Sequence, residues 1–375
     1  MDLSEIRVLI DDVDKQIVEL YEKRMDLCTQ VAEYKIANGK QVFDHKRELE
    51  KIEKVKSLTH TDFNRIGVEE LFEQLMAMSR KLQYGILKEN GHLGRIPFIK
   101  QKALDTENAN VVFQGAEGAY SQAAMLEFFG ENIRSFHVDT FRDAMVAIAN
   151  GTADFAVLPI ENSTAGSVNE IYDLLVEFEN YIVAEQIIKI EHCLMAPEGA
   201  TIEGIQKVYS HPQSMMQSSR FLGEHANWET ITMQNNAFAA RKVAEDGDIT
   251  QAAIASELAA QKYGLKILEK GVNHLSNNST RFIIVTNQKI FREDANKISI
   301  CFELPHHSGS LYTTLSHFIY NNLNLNRIES RPTEGKSWEY RFFIDFDGNL
   351  EEEGVMNALR GLREETINMK ILGNY

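Results

Sequence analysis

Apolar residues recur at helical spacing along the first 90 residues of the chain. From Leu3 to about Gly39 they form one stripe, which predicts a single long helix. The stripe consists of Ile6, Leu9, Ile10, Val13, Ile17, Leu20, Leu27 and Val31. A second helix is predicted from near Asp44, which stands at an N-cap position, and a third from about Val68. The third helix should bury Leu71, Leu75, Met78 and Leu82 on one face.

Three helices of this length cannot enclose a core alone. We therefore expect residues 1–90 to form an all-α, intertwined dimer. Residues 91–109 lack periodicity and are predicted to be a linker.

The pattern changes near residue 110, where short apolar runs alternate with helical stretches. The runs cover 111–113, 155–158, 181–190, 207–209, 252–254 and 282–285. This alternation is typical of an α/β domain, and we expect a mostly parallel sheet over residues 110–290. Residues 297–375 then read strand, helix, strand, strand, helix, strand, which is the order of an α+β, ferredoxin-like unit. That last segment shows no cluster of titratable residues, so we interpret it as a sensor.

Composition limits the possible partners of the chain. Its 375 residues indicate two or three domains, and 43% hydrophobic with 25% charged residues is ordinary for globular protein. A net charge of −16 argues against a nucleic-acid partner, whose binding needs a basic surface. The three cysteines lie far apart, show no metal-ligand spacing and indicate a reducing compartment. With an acidic N-terminus and no apolar run of membrane-spanning length, we expect a cytoplasmic protein without membrane contact.

Two cations interrupt the apolar stripe of the first helix. Arg24 and Lys35 are eleven residues apart, so they lie about 20° apart around the helix axis and roughly 16 Å apart along it. A charge on a buried face costs several kcal/mol unless a counter-charge meets it. Cys28 and Val31, not acidic residues, lie between them on the stripe. Either the two side chains reach out to water, or their counter-charge is a ligand with several negative groups.

Four further motifs lie in the later segments. They are Gly118-Ala119-Tyr120-Ser121, Leu158-Pro159-Ile160-Glu161-Asn162-Ser163, Tyr209-Ser210-His211-Pro212-Gln213 with Gln217, and Asn278-Ser279-Thr280-Arg281-Phe282. With Glu329-Ser330-Arg331-Pro332 near the end, they make the whole chain resemble the bifunctional chorismate mutase–prephenate dehydratases of phenylalanine biosynthesis. The resemblance covers all three segments in the family's order. It implies an α/β dehydratase of two subdomains, similar to periplasmic binding proteins, and a C-terminal ACT domain.

The resemblance assigns chorismate binding to polar residues of the helical segment. They are Arg7, Arg24, Lys35, Asp44, Arg47, Glu48, Ser79 and Gln83. It implies that Arg24 and the Arg7 of a partner chain hold the substrate's carboxylates, and that Lys35 and Gln83 act as catalytic hydrogen-bond donors to the breaking ether oxygen. The rearrangement needs no cofactor and no metal. Taken singly, these residues also have ordinary roles, Asp44 as a helix cap and Arg47 with Glu48 on a solvated face.

The resemblance likewise assigns prephenate binding and catalysis to the second segment. Arg281 should cradle carboxylates, and Thr280 should supply or share the proton that the departing hydroxide needs. Glu161, Asn162, Ser163, Ser210 and Gln217 would arrange the substrate. We expect His211 to be a structural ring at a helix start, and not a base.

In the last segment the resemblance implies a phenylalanine site between paired subunits. The expected effector residues are Gly309, Ser310, Leu311, Glu329, Ser330, Arg331 and Pro332. The predicted protein is a homodimer or higher homo-oligomer with two reactions and feedback inhibition. Two alternatives stay open: an amino-acid sensor without catalysis, and a mutase whose other segments are only regulatory. Conversion of prephenate to phenylpyruvate would exclude both.

Overall fold

The computed structural model describes residues 2–90, 96–306, 308–333, 335 and 338–375. The chain folds into two compact units. The first contains Met1–Pro97 and Phe302–Met369, and the second contains Phe98–Cys301 and Lys370–Tyr375. Most of the C-terminal segment therefore shares a unit with the N-terminal helices, whereas the sequence pattern had suggested three successive segments. In the described part of the chain, none of the helices is both long enough and apolar enough to cross a membrane.

The first unit begins with three helices: α1 (Leu3–Ala37), α2 (His45–Lys56) and α3 (Asp62–Glu89). Asp2 and Glu5 form a capping box at the start of α1, and Asp44 caps α2 by accepting from the Arg47 amide at 3.1 Å. Helix α3 starts six residues before the predicted Val68. The Thr61 hydroxyl accepts from the Asn64 amide at 3.2 Å, and this cap supports the additional turns.

The apolar stripe of α1 is exposed within one chain. Its large side chains range from 41% exposed at Ile6 to 66% at Leu20, and Ala32 is the buried residue of this helix. Helix α3 also buries a different face from the predicted one, because Leu71 is exposed and Leu75, Met78 and Leu82 are half-buried. Instead its buried residues are Met76, Ser79, Arg80, Gln83, Tyr84 and Leu87. The apolar stripe of α1 is thus exposed within the chain, and the predicted apolar face of α3 is at most half-buried.

The second unit is α/β. Its strands are β1 (Ile99–Gln101), β2 (Asn110–Gln114), β3 (Arg134–Val138), β4 (Phe155–Asn162), β5 (Gly166–Ser167), β6 (Tyr181–Lys189), β7 (Cys193–Ala196), β8 (Lys207–Ser210), β9 (Glu229–Thr232), β10 (Gln251–Ala255), β11 (Lys266–Lys270), β12 (Ser279–Thr286) and β13 (Ile290–Arg292). Its helices are α4 (Tyr120–Phe129), α5 (Phe141–Ala149), α6 (Asn169–Glu177), α7 (Pro212–Gln217), α8 (Ser219–Glu224), α9 (Asn236–Asp246) and α10 (Glu257–Tyr263), with one 3-10 turn at Ile202–Gly204.

These strands form two lobes. Lobe A holds the sheet order β6-β12-β4-β2-β3, and lobe B holds β11-β7-β10-β8-β9. Four of the five strands in each lobe run in the same direction, as predicted for a mostly parallel sheet. The exceptions are β12, which is antiparallel to β4 and β6, and β7, which is antiparallel to β10 and β11. The reason is the chain path. It enters lobe B after β6 and returns as β12, which inserts against the direction of both neighbours.

The predicted linker is only partly irregular. Residues 91–95 lie outside the described residues, but Ile99–Gln101 forms β1 and pairs in parallel with β13. A strand of three residues carries too short a pattern to be recognised in the sequence.

The C-terminal segment contains β14 (Lys297–Glu303), α11 (Ser310–Tyr320), β15 (Leu325–Pro332), β16 (Tyr340–Asp347), α12 (Glu353–Glu365) and β17 (Ile367–Asn374). Its strands lie in the order β15-β16-β14-β17, and β15 pairs with β16 antiparallel. Helices α11 and α12 pack closely, since a Cβ added at Gly361 would meet the His317 ring at 2.3 Å. The glycine therefore sets how near the two helices approach.

Candidate active sites

The cations of α1 turn inward. Lys35 is half-buried, and its Nζ donates to the Val42 carbonyl. Burial lowers the pKa of Lys35 below its usual value, although the carboxylates of Asp44, Glu48 and Glu364 oppose this shift. Arg24 is also half-buried, donating to the Leu75 carbonyl at 2.9 Å and to the Ser79 hydroxyl. The expectation that these cations serve an internal site thus agrees with their geometry.

Ser79 and Gln83 lie beside Arg24 on the buried side of α3. The Gln83 Nε2 donates to the Ser79 carbonyl at 3.2 Å. Its Oε1 is buried and has no hydrogen-bond partner among the residues that the structure describes. Because buried amide groups are nearly always paired, this atom marks a place where a ligand group belongs.

Glu48 faces inward from α2 and accepts from a residue that the sequence analysis missed. The donor is Arg80 Nη1, whose residue is only 7% exposed. Arg80 lies four residues after Met76 and four before Tyr84, so it interrupts an apolar helical face. That is the same signal that drew attention to Arg24, but the wrong face of α3 had been taken as buried.

Three of the expected chorismate residues are exposed. Arg7 is exposed, and its 17-residue separation from Arg24 along one helix places it roughly 25 Å away. Asp44 is exposed and acts as a helix cap, while the exposed Arg47 lies 4.0 Å from Glu50. The structure therefore brings Arg24 to Ser79 and Gln83, and Lys35 near Asp44 and Glu48, but the Arg7 of the same chain lies far from Arg24.

The α/β unit joins two of its motifs through strand pairing. In the register of β12 with β4, Thr280 stands opposite Asn162. The Asn162 Nδ2 donates to Thr280 Oγ1 at 2.9 Å, and Thr280 is 8% exposed. The Asn162 Oδ1 in turn accepts from the Thr164 amide and hydroxyl at 3.0 and 2.7 Å. This antiparallel pairing is what places the two motifs side by side.

A chain of hydrogen bonds continues from Thr164 into lobe B. Gln217 Nε2 donates to Thr164 Oγ1 at 2.7 Å, and Gln217 Oε1 lies 2.9 Å from His192 Nε2. The other ring nitrogen of His192 lies 2.8 Å from the Tyr120 hydroxyl. Burial lowers the pKa of His192, which keeps the ring neutral. A cavity of about 190 Å³ opens beside Thr164, Gln217 and Asn278.

Sequence reasoning missed Thr164 and His192, because neither carries a recognisable spacing. Tyr120 was quoted as part of a motif but without a role. Ser163 is tied to the same strands, since its hydroxyl accepts from the Ser279 amide at 3.0 Å. Asn162, Ser163, Gln217 and Thr280 therefore do come together as expected.

Arg281 and Glu161 occupy the opposite side of the sheet from Thr280 and Asn162. Successive residues of a strand point to opposite faces, and Arg281 pairs in register with Glu161. Its guanidinium lies 3.5 Å from Glu161 and 3.3 Å from Glu185. In this structure Arg281 therefore lies between two carboxylates on the face opposite Thr280, and not beside Thr280.

Ser210 also departs from the expectation of substrate contact. It is fully buried at the end of β8. Its hydroxyl lies 2.7 Å from the Ile254 carbonyl oxygen and 2.9 Å from Asn236 Oδ1, both as acceptors. This is a packing role inside lobe B. His211 caps α7 by accepting from the Gln213 amide at 3.2 Å, as a structural ring would.

The glycine loop after β2 links the two lobes. Gly118 has φ +86°, and a Cβ added there would lie 2.7 Å from the Ala259 Cα on α10. The Ser256 hydroxyl donates to the Gly118 carbonyl, and the Tyr263 hydroxyl donates to the Glu117 carbonyl at 2.8 Å. Only glycine permits both this backbone conformation and this approach.

The expected effector residues lie on two elements of the C-terminal segment. Gly309 is the left-handed N-cap of α11, and Ser310 and Leu311 follow in its first turn. Glu329–Pro332 lies on β15, the edge strand of its sheet, where Glu329 accepts from Arg327 at 3.1 Å.

The fold and these contacts define a chain with two separate small-molecule sites, one helical and rich in cations, the other in the cleft of a two-lobed α/β unit. The family model of chorismate mutase type II matches residues 6–84, and that of prephenate dehydratase matches residues 111–290. The Escherichia coli strain K12 bifunctional chorismate mutase/prephenate dehydratase is 31% identical over all of this chain and 96% of its own length. That of Aquifex aeolicus is 30% identical over all of this chain and 98% of its own length.

This chain belongs to the family of bifunctional chorismate mutase/prephenate dehydratases and carries both enzyme activities. A solved structure gives the fold of the later segments. The Arthrobacter aurescens prephenate dehydratase in complex with L-Phe is 30% identical with a TM-score of 0.66, covering 71% of this chain and 89% of that one.

Proposed function

We propose that the helical unit converts chorismate to prephenate and that the α/β unit converts prephenate to phenylpyruvate, with phenylalanine as feedback inhibitor. The observation that carries the first step is that both cations of α1 turn inward, Arg24 donating to Ser79 and Lys35 to the Val42 carbonyl. Chorismate carries two carboxylates, which would supply the negative groups that these cations lack.

The mutase step is an intramolecular rearrangement that places negative charge on the breaking ether oxygen. Lys35 Nζ and the Gln83 amide would donate to that oxygen, where fixed donors in a dry site are most effective. The nitrogen and oxygen of a glutamine amide exchange places on a half-turn, which would aim the Gln83 nitrogen where its unpaired Oε1 now lies. Arg24 would hold one carboxylate, and Glu48 would accept from the substrate hydroxyl.

A second copy of the chain would complete this site. The exposed stripe of α1 and the uncovered face of α3 offer the apolar surface that an intertwined dimer buries. Arg7 lies too far from Arg24 to serve its own site but is free to reach the site of a partner. These two facts support the dimer and the role of Arg7 together.

In the dehydratase step the carboxylate on the ring leaves as carbon dioxide, its bonding electrons make the ring aromatic and expel hydroxide, and the hydroxide needs a proton. Thr280 Oγ1 accepts from Asn162, so its own proton would be available to the leaving hydroxyl of a substrate in the cleft. Accepting a hydrogen bond also makes the hydroxyl a better donor. A threonine pKa is too high for full proton loss, so Thr280 would share its proton as the oxygen departs.

The C-terminal segment would be an ACT domain that binds phenylalanine. Its strand order, its edge strand β15 with Glu329–Pro332, and the glycine cap of α11 support this, as does the L-Phe bound to the dehydratase relative. We assign residues 1–90 to the mutase domain, 110–290 to the dehydratase domain and 297–375 to the ACT domain. Cys193 and Cys301 are buried, Cys28 is half-buried and none of these three described residues forms a disulfide, which supports the proposed cytoplasmic location.

A coupled assay tests the proposal. The purified chain is given chorismate, and prephenate and phenylpyruvate are quantified with and without phenylalanine. We expect both products to form and phenylalanine to slow their formation. Prephenate that accumulates without phenylpyruvate would leave only the mutase, and no turnover of either substrate would favour a sensor.

A further inference from the structure

Arg80 bridges two carboxylates inside the first unit. Its Nη1 contacts Glu48 of α2, and its Nη2 lies 2.9 Å from Glu365 at the end of α12. The side chains of Arg80, Glu48 and Glu365 are 9%, 22% and 14% exposed. A residue expected at the mutase site and a residue of the C-terminal segment thus share one buried guanidinium.

The bridge extends to α11. The second carboxylate oxygen of Glu365 lies 2.8 Å from His317 Nε2. Burial tends to raise the pKa of Glu365, but His317, Arg80 and His45 outweigh it, so the pKa lies below its usual value and the group stays ionised. The guanidinium also lies 5.1 Å from the centre of the Phe43 ring. Held in this way, Arg80 has little freedom to turn.

Two other contacts join the same helices without touching Glu48. The Lys81 Nζ donates to the Tyr320 carbonyl at 2.6 Å, and the Tyr84 hydroxyl contacts Glu364. Beside them lies a cavity of about 640 Å³, lined by Glu48 and Arg80 together with Ser310, the residue expected at the effector site. The mutase carboxylate and the first turn of α11 therefore face the same space.

We propose that Arg80 is a positioning residue of the mutase reaction, which fixes the Glu48 carboxylate for the substrate hydroxyl and links it through Glu365 to the C-terminal segment. This inference rests on the proposed mutase function. Glu48 and Glu365 compete for one guanidinium, so a shift of α12 changes how strongly Arg80 pairs with Glu48. A weakly paired Glu48 is a stronger acceptor for the substrate, and a tightly paired one is a weaker acceptor.

Steady-state kinetics of four variants test the link. Arg80→Met should lower mutase kcat/KM at least tenfold, and Arg80→Lys should recover part of it, while dehydratase kcat/KM stays within about twofold. Glu365→Gln leaves Arg80 wholly to Glu48, so it should raise the chorismate KM about threefold to tenfold with kcat within about twofold. Lys81→Met breaks a neighbouring contact and should change neither constant. Equal kinetics for Glu365→Gln and Lys81→Met would overturn the proposal.

A second measurement does not depend on turnover. Urea unfolding midpoints of the full chain are compared for Glu48→Gln, Glu365→Gln and the double variant. Because both carboxylates share Arg80, we expect the two shifts to be non-additive. Strict additivity would show that no bridge exists. Absence of mutase turnover in the parent would contradict the proposed function instead, and the unfolding midpoints would still decide the bridge.

Discussion

The two sites solve different electrostatic problems. The helical site gathers charges, namely Arg24, Lys35 and Arg80 with Glu48, and in the proposed dimer a partner chain adds its Arg7. The site in the α/β unit is a network of neutral groups around Asn162 and Thr280 that a single chain completes. Its charged neighbours, Arg281 and Glu161, lie on the other face of the sheet.

This contrast follows the chemistry of the two steps. A rearrangement that builds charge on an ether oxygen benefits from fixed cations. A departing hydroxide needs a proton donor that is not itself strongly charged, and a network of amides and hydroxyls orients such a donor. The first site should therefore be sensitive to charge and to assembly, and the second to the geometry of single hydrogen bonds.

The sharpest separation of the two sites should come from Lys35→Ala. Loss of the ammonium should lower mutase kcat about 10²- to 10³-fold or more, as for a removed oxyanion donor. Dehydratase turnover should not change, because Thr280 and Lys35 belong to different units. Both rates are measured on one preparation, with the exposed Lys23→Ala as matched control. Loss of both activities would contradict independent sites.

Thr280→Ala should have the converse effect. Dehydratase kcat should fall about 10²-fold with little change in KM, since the hydroxyl acts on the leaving group and not on ground-state binding. Thr280→Ser keeps the hydroxyl and should retain much of the rate. Near-normal turnover in the alanine variant would remove Thr280 from the mechanism.

Assembly into a dimer should matter to the mutase site and not to the dehydratase site. Ile17→Glu puts a charge on the exposed stripe of α1, so we expect a smaller particle in light scattering and a mutase rate lowered about tenfold, with dehydratase activity retained. Gln16→Glu adds the same charge beside the stripe and should leave the assembly intact. A mutase that stays fully active as a monomer would rule out the contribution of Arg7 from a partner.

Substitution of Arg331 should change feedback inhibition and leave catalysis unchanged. Arg331→Ala should raise the phenylalanine concentration for half-inhibition about tenfold, because each lost charged contact costs about 1.4 kcal/mol or more, and basal rates should hold. Asn326→Ala on the same strand is the control. Unchanged inhibition would point to another effector site.

The smallest effect should be a difference in pH dependence. Burial lowers the pKa of Lys35, so its ammonium loses the proton at a pH below the ordinary lysine value of about 10.4. Mutase kcat/KM, which reports the free enzyme, should therefore decline on the alkaline side before that pH, as the donor charge disappears. The dehydratase rate, measured in the same buffers, should not follow. A mutase rate that is flat through pH 10 would exclude Lys35 as the charged donor.

The sequence predicted the charged residues of the helical site more successfully than the hydrogen-bond network of the α/β unit. A cation in an apolar stripe is visible in a linear pattern, so Arg24 and Lys35 were found, and Arg80 would have been found had the buried face of α3 been chosen correctly. That face was misjudged because an apolar face that stays exposed looks the same in sequence as one buried within the chain.

The network of the α/β unit depended on topology. Residues 162, 217 and 280 meet because β12 runs antiparallel between β4 and β6, whereas the alternating pattern suggested parallel strands. Without that register, neither the position of Arg281 on the far face nor the bond from Thr164 to Gln217 follows from spacing. The element order of the C-terminal segment was easier, because each strand and helix is long enough to show its own period.

Gly118 decides how far the lobes can part. Moving the two lobes apart would break the hydrogen bonds that Ser256, Tyr263 and Gln217 make between them, and each broken bond would cost roughly 1 kcal/mol net. The closed form should then outnumber the open one by about a hundredfold. The exposed side chains of Met216 and Leu275 line the cavity beside Gln217. The two lobes of the α/β unit would thus stay together as a nearly rigid body around a cavity with a narrow opening.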